Sequence, residues 1–333
     1  MSRLVLVGLR SKRVVFPHRA WLCASALPCA GPFNIQTVNS STHTSLYETL
    51  FYKDSPPVWF AQQVLETGHD FTNLPWWASI ILTTFALRTA VTLPFAVYQH
   101  YIFARLELLQ PQIAQYGRQL QVYVKQKEVD ENWGKNKSRV YFKMQMKKVV
   151  TALYIRDNIH PFKASLLLWV QLPMWVFISF ALRNMTGAFP GKVAQEFGPL
   201  VPSMATEGAL WFPDLTLPDP FVILPIILGL SNLLVIEMHA LRSTKPTKWQ
   251  GRITNLFRFF SVAMVPLAAY LPTGMSLYWA SSSVYGLGQN LLLKSPKMRR
   301  IFQLPHVPSE STTPYKDMMK LAKIKFLRQS ESK

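Results

Sequence analysis

The chain has 333 residues, of which 49% are apolar, 13% aromatic and only 16% charged, and its formal net charge is +19. These proportions point to a polytopic membrane protein rather than two soluble domains, and a charge this high makes the location of the basic residues the deciding question. Both cysteines, Cys23 and Cys29, lie near the N-terminus, inside the segment expected to be removed, which excludes disulfides and thiolate metal sites from the mature chain.

Residues 1–45 contain Arg3, Arg10, Lys12, Arg13 and Arg19, and no acidic residue precedes Glu48. Basic residues spread among Ser, Ala and Leu predict a mitochondrial presequence; a bacterial-type signal peptide, the competing reading, would gather them ahead of one apolar block. Residues 46–75 follow as an outer segment, in which Trp59, Phe60, Val64 and Leu65 are expected to share one face of a short interfacial helix. Five segments are then apolar enough to cross a hydrocarbon core of about 30 Å: 76–98, 164–182, 221–240, 257–272 and 274–293. Pro94, Pro173, Pro225 and Pro266 fall inside them, as membrane helices tolerate. Between the first two, Ile102, Leu106, Leu109, Ile113, Tyr116 and Leu120, and then Phe142, Met146, Val149 and Leu153, form two apolar stripes broken at "DENWGKNKSR". This spacing predicts an antiparallel helical hairpin over 101–160. Two helices packed on each other satisfy the pattern, and a docking arm for a substrate or the ribosome is the further possibility. A short basic tail, 294–333, ends the chain.

The loops locate the charge. Residues 99–163 hold 12 Lys and Arg against 5 Asp and Glu, 241–258 hold 5 against 0, and 294–333 hold 10 against 3. The alternate segments are acidic, with 1 against 4 in 46–74 and 2 against 4 in 183–220. The positive-inside rule then predicts an N-terminus in the intermembrane space and a C-terminus in the matrix. Most of the net charge is topology, with a weak contact to the ribosome or to anionic lipid left open. The outer loop around Glu207, Asp214 and Asp219 is expected to offer a receiving surface for an emerging domain or a helper protein.

Chemistry concentrates at Arg88, near the centre of the first span, where an arginine costs roughly 2.5–3.5 kcal/mol on insertion scales. Thr84 and Thr92 lie four residues to either side and extend a polar stripe. Gln171, Ser231, Asn232, Tyr278, Ser282 and Gln289 are candidate partners, with 278, 282, 285 and 289 at helical spacing. The competing reading makes Arg88 a packing cation neutralised by a carboxylate, yet Glu237 is the only carboxylate within a predicted span and sits near its inner end. No H-E-x-x-H, G-x-S-x-G or phosphate-binding glycine loop occurs, so no enzyme, catalytic residue, metal, cofactor or small-molecule substrate is expected.

Several motifs together resemble the YidC/Oxa/Alb membrane-protein insertases. They are Leu87-Arg88 with Thr92-Leu93-Pro94, Tyr154 with His160-Pro161, Gln171-Leu172-Pro173, and Pro272-Thr273-Gly274 with Leu277-Tyr278-Trp279 and Gln289. The resemblance runs from about residue 74 to 293 and implies an all-α membrane protein with five transmembrane helices, a matrix hairpin and N-out, C-in topology. It also implies a hydrophilic groove that holds Arg88, Thr84, Thr92, Gln171, Tyr278, Ser282 and Gln289. "NLPWW", "YQHY" and "LWFPDLTLPDP" are similar to the mitochondrial branch devoted to cytochrome c oxidase assembly. That branch implies export of the C-terminal tail of oxidase subunit II, with subunit II, assembly factors and the lipid bilayer as partners. A general inner-membrane insertase, an anion or solute transporter that binds its ligand at Arg88, and an assembly scaffold are the alternative functions.

Overall fold

The computed structural model describes residues 55–188, 201–242 and 248–331, so the expected presequence and both cysteines lie outside the described residues. Among the described residues every regular element is a helix, with two isolated β-bridges at the 201–222 loop. In chain order they are α1 (Pro56–Thr72), α2 (Trp76–Leu87), a π-turn (Arg88–Thr92), α3 (Leu93–Asp130), α4 (Lys135–Arg156), a 3₁₀ turn (Pro161–Ser165), α5 (Leu166–Met185), a 3₁₀ turn (Pro202–Ala205), α6 (Ile223–Arg242), α7 (Lys248–Ala269), α8 (Thr273–Leu292), α9 (Pro296–Ile301) and α10 (Pro314–Glu331). Three helical stretches are long and apolar enough to cross a membrane: Trp76–Asp130, Phe162–Met185 and Ile223–Leu241. The remaining two expected spans, 257–272 and 274–293, fall on α7 and α8, of 22 and 20 residues, which are not among these three stretches. Their composition is more polar: α7 carries Lys248, Arg252 and Arg258, and α8 is rich in Ser and Gly.

Helix α1 opens on Pro56 and Pro57, whose fixed φ suits the first helical turn, and ends at Asn73 with a left-handed φ of 50°. Its buried residues are Val58, Ala61 and Leu65, and it packs on α5. The expected apolar face is therefore corrected. Leu65 turns inward, whereas Trp59 and Phe60 are 57% and 66% exposed and Val64 is only half-buried. The apolar residues divide between two faces because α1 lies on the bundle and also presents a surface away from it.

The core fills the end of the bundle beneath the 201–222 loop. Leu65, Trp76, Ile80, Leu182, Met185, Met204, Leu215, Leu228, Met275 and Tyr278 belong to one buried cluster. The loop over it is fastened by its own acidic residues, and of the three expected to form a receiving surface Asp219 is buried while Glu207 and Asp214 are half-buried. Glu207 accepts the backbone N–H of Trp76 at 3.0 Å, and Asp214 accepts from the N–H and hydroxyl of Thr216 at 2.7 and 2.6 Å. Asp219 is buried and accepts from the N–H groups of Phe221 and Leu224 and from the Trp211 indole. It thus satisfies donors at the start of α6, the role of an N-terminal cap. At Pro272-Thr273 the chain turns back, and Thr273 donates both its N–H and its hydroxyl to the Leu217 carbonyl at 2.7 Å. Within the bundle, α6 and α7 approach closely at Gly229, where an added Cβ would fall 2.4 Å from Val265 Cγ2.

On the opposite side α3 continues the first span without a break and pairs with α4 as the expected hairpin. Its tip closes at Asn132 (φ 49°) and Gly134, with Lys137 Nζ 4.4 Å from the centre of the Trp133 ring. At its base Arg156 donates to Gln112 on the first arm at 3.1 Å and grips both oxygens of Asp157, at 2.7 and 3.0 Å. That guanidinium holds the Asp157 carboxyl below the usual carboxylate range. The basic tail is folded rather than a plain charged extension. Buried Arg299 donates to the Pro305 carbonyl at 3.1 Å, and Ser309 donates its N–H and hydroxyl to Glu107 of α3 at 3.0 and 2.9 Å.

Candidate functional site

Arg88 is 6% exposed and lies twelve residues into the first span, about 18 Å along the helix at 1.5 Å per residue. The local backbone departs from an α-helix there. Pro94 has no N–H, and its ring crowds the carbonyl four residues back, that of Ala90. One wider turn at Arg88–Thr92 precedes it, in which the Leu93 N–H reaches the Arg88 carbonyl. Thr92 donates its hydroxyl to that same carbonyl at 2.8 Å. A π-turn inserts a residue into the helical period and so resets which later side chains follow Arg88 around the helix.

The Arg88 side chain meets α8. Its Nε donates to Ser282 Oγ at 3.0 Å, and Nη2 donates to the same oxygen. Its Cζ lies 6.0 Å from the centre of the Tyr285 ring, whose hydroxyl is 2.8 Å from Thr89 Oγ1. Its hydrogen-bond partner is therefore a serine, and no salt bridge joins it to a carboxylate among the described residues. Glu237 is engaged elsewhere: it accepts from Arg258 of α7 at 2.6 Å.

Arg88 borders a cavity of about 470 Å³. Gln171, Asn232, Ser282, Gln289 and Asn290 give the wall its polar groups, and Leu172, Trp175, Leu228 and Met264 give it apolar ones. The wall thus mixes a cation, amides and hydroxyls with hydrocarbon, which suits a chain carrying both polar and apolar side chains. Of the residues expected from sequence, Arg88, Gln171, Ser282 and Gln289 come together here, with Asn232. Thr84 and Thr92 are buried near Arg88 but do not line the cavity, and the Thr84 hydroxyl donates to the Ile80 carbonyl at 2.6 Å. Small hydroxyl side chains in helices commonly return to the backbone one turn earlier in this way. Tyr278 is enclosed in the apolar cluster, one turn before Ser282, and Ser231 is buried away from the cavity wall.

Sequence reasoning missed Gln99, His100, Gly286 and Asn290 as cavity neighbours. Gln99 and His100 sit in "YQHY" at the end of the first predicted span, and Gly286 and Asn290 interleave with the 282, 285, 289 row. For His100 the missing ingredient was the π-turn: on an uninterrupted α-helix it would lie about 120° around from Arg88, and one extra residue removes about 100° of that offset.

A family model described as 60Kd inner membrane protein matches residues 67–300. The mitochondrial cytochrome c oxidase assembly protein COX18 of Homo sapiens is 47% identical over 273 residues, which cover 82% of this chain and 81% of that protein. Its Mus musculus counterpart is 44% identical over 311 residues, 92% of this chain and 91% of that protein. The mitochondrial inner membrane protein OXA1 of Arabidopsis thaliana is 28% identical over 252 residues, 76% of this chain and 53% of that protein.

Proposed function

The chain belongs to the 60Kd inner membrane protein family, the YidC/Oxa insertases, and on that premise we propose that it is an insertase of the mitochondrial inner membrane that serves cytochrome c oxidase assembly. Its finer task is insertion of oxidase subunit II and export of that subunit's C-terminal tail, with subunit II, oxidase assembly factors and membrane lipid as partners. The chain crosses the membrane five times, with its N-terminus in the intermembrane space and its hairpin and tail in the matrix, where the basic loops make at most a weak ribosome contact.

One observation carries this reading: a buried arginine, hydrogen-bonded to a serine, borders a half-polar cavity on the hairpin side, while the side beneath the 201–222 loop is packed shut. A segment crossing hydrocarbon leaves polar groups without partners at several kcal/mol each, so a cavity that solvates them through part of the bilayer lowers the barrier. Arg88 adds attraction for acidic side chains, strengthened where water is scarce. No covalent step is required.

Depletion tests the reading. In mitochondria lacking this protein the subunit II tail should stay protected from external protease and oxidase activity should disappear, while other inner-membrane complexes remain near normal. A tail still exposed outside would overturn the proposal. Equal collapse of every complex would favour a general insertase, the reading that the OXA1 likeness supports. Anion flux through the purified protein in proteoliposomes would favour a transporter, against which the packed core argues.

A further inference from the structure

A guanidinium offers two pairs of parallel donors: the side edge, Nε–H with one hydrogen of Nη2, and the end edge, Nη1 with the other hydrogen of Nη2. At Arg88 the side edge is taken, because Nε and Nη2 both donate to Ser282 Oγ. The flat face is flanked by Tyr285, which the Thr89 hydroxyl holds in place. Nη1 lies beside Gly286, one turn beyond Ser282 on α8, and a Cβ built on that glycine would stand 3.7 Å from it. A single methyl would only touch Nη1, whereas a branched side chain would cover it. Both Ser282 and Gly286 line the cavity with Arg88.

We propose that Ser282 and Gly286 are positioning residues that turn the end edge of Arg88 into the cavity and keep it open, so that a carboxylate of the segment in transit is taken by two parallel hydrogen bonds. This rests on the insertase reading and adds its specificity element. Without Ser282 the guanidinium can rotate about its long side chain, and a carboxylate meets it as a point charge. With Ser282, the serine is the fixed end of a fork, the arrangement that gives bidentate carboxylate recognition its directionality. In this role Ser282 acts through Arg88.

The test measures export of the subunit II tail in organello at matched levels of the protein. Ser282→Ala should slow export about tenfold, the scale of one hydrogen bond to a charged group. Ser282→Thr, which keeps the hydroxyl, should recover most of the rate. Gly286→Val should match Ser282→Ala. In an Arg88→Lys background, Ser282→Ala should cause no further loss, and a client whose acidic residues are changed to Asn and Gln should be indifferent to Ser282→Ala in the normal background. If Ser282→Ala exports at the normal rate while Arg88→Leu is inactive, positioning fails and the cavity reading stands. Multiplying losses in the Arg88→Lys background would likewise overturn it, since Ser282 would then act independently of the guanidinium. If Arg88→Leu is itself fully active, the insertase reading of this cavity fails and the positioning role goes with it. Should Ser282→Ala not accumulate, Gly286→Val decides: a slowed normal client beside an unaffected neutralised client supports positioning, and equal export of both at the normal rate overturns it.

Discussion

The two halves of α8 have opposite environments although they belong to one helix. From Thr273 to Ser282 every residue is buried, and Thr273, Ser276 and Trp279 each donate to a neighbouring element, at 2.7, 2.7 and 2.8 Å. From Ser283 onward no residue of the helix is fully buried, and Ser283, Gly286, Gln289 and Asn290 face the cavity. The difference lies in what stands opposite. The first half meets the folded loop and the Trp76 end of α2 and reaches Arg88 only through its last residue, Ser282, while the second half flanks Arg88 with Tyr285 and Gly286 and lines the cavity beyond it. One half makes the bundle stable, and the other keeps a polar space inside it.

Substitutions should sort along that divide. The largest effect is expected at Arg88: Arg88→Leu should abolish export of the subunit II tail with the protein still accumulating, and Arg88→Lys should retain part of it. Normal respiration with Arg88→Leu would erase the distinction between the halves. On the sealed side, Leu215→Ala opens a cavity at a fully buried position and should cost about 2–5 kcal/mol. Steady-state protein should fall while export per molecule stays unchanged, as read by quantitative blotting beside the export assay. Asp219→Ala removes the acceptor for two N–H groups at the start of α6 and should cost about 1–3 kcal/mol. A lower melting temperature in detergent with unchanged export per molecule would place it with Leu215.

The smallest effect concerns the hairpin, outside both halves. The carboxyl of Asp157 is lowered by Arg156, so its contribution is present above the ordinary carboxylate value of about 4 and is lost as pH falls through the folded value. Amide exchange across residues 154–160 should therefore quicken below about pH 4 relative to the Asp157→Asn protein, which should show no such step. Equal quickening in both would remove Asp157 from the account.

Much of this was legible beforehand, and the gaps have physical reasons. The apolar runs and the broken stripe at "DENWGKNKSR" pointed to the helices and the hairpin, because burial and period are written locally. Arg88, Gln171, Ser282 and Gln289 were named because a polar residue in a spanning segment needs a reason to be there. Thr84, Thr92 and Tyr278 shared the spacing, but spacing does not say whether a hydroxyl returns to its own backbone or whether a ring is sealed behind a loop. The carboxylates of Glu207, Asp214 and Asp219 were read as a surface because their partners are mostly backbone N–H groups, which no side-chain pattern reveals. The fold of the tail depends on Glu107, some two hundred residues upstream of Ser309, a pairing that only tertiary structure discloses.

Site-specific photocrosslinking during export of the subunit II tail tests the central claim most directly. A photoreactive residue at Gln171 or Gln289, on the cavity wall, should capture the tail, while one at Met275 or Leu277, in the sealed half of α8, should not. Capture from the sealed positions as readily as from the cavity, or from neither, would contradict the claim that the client passes along the cavity half.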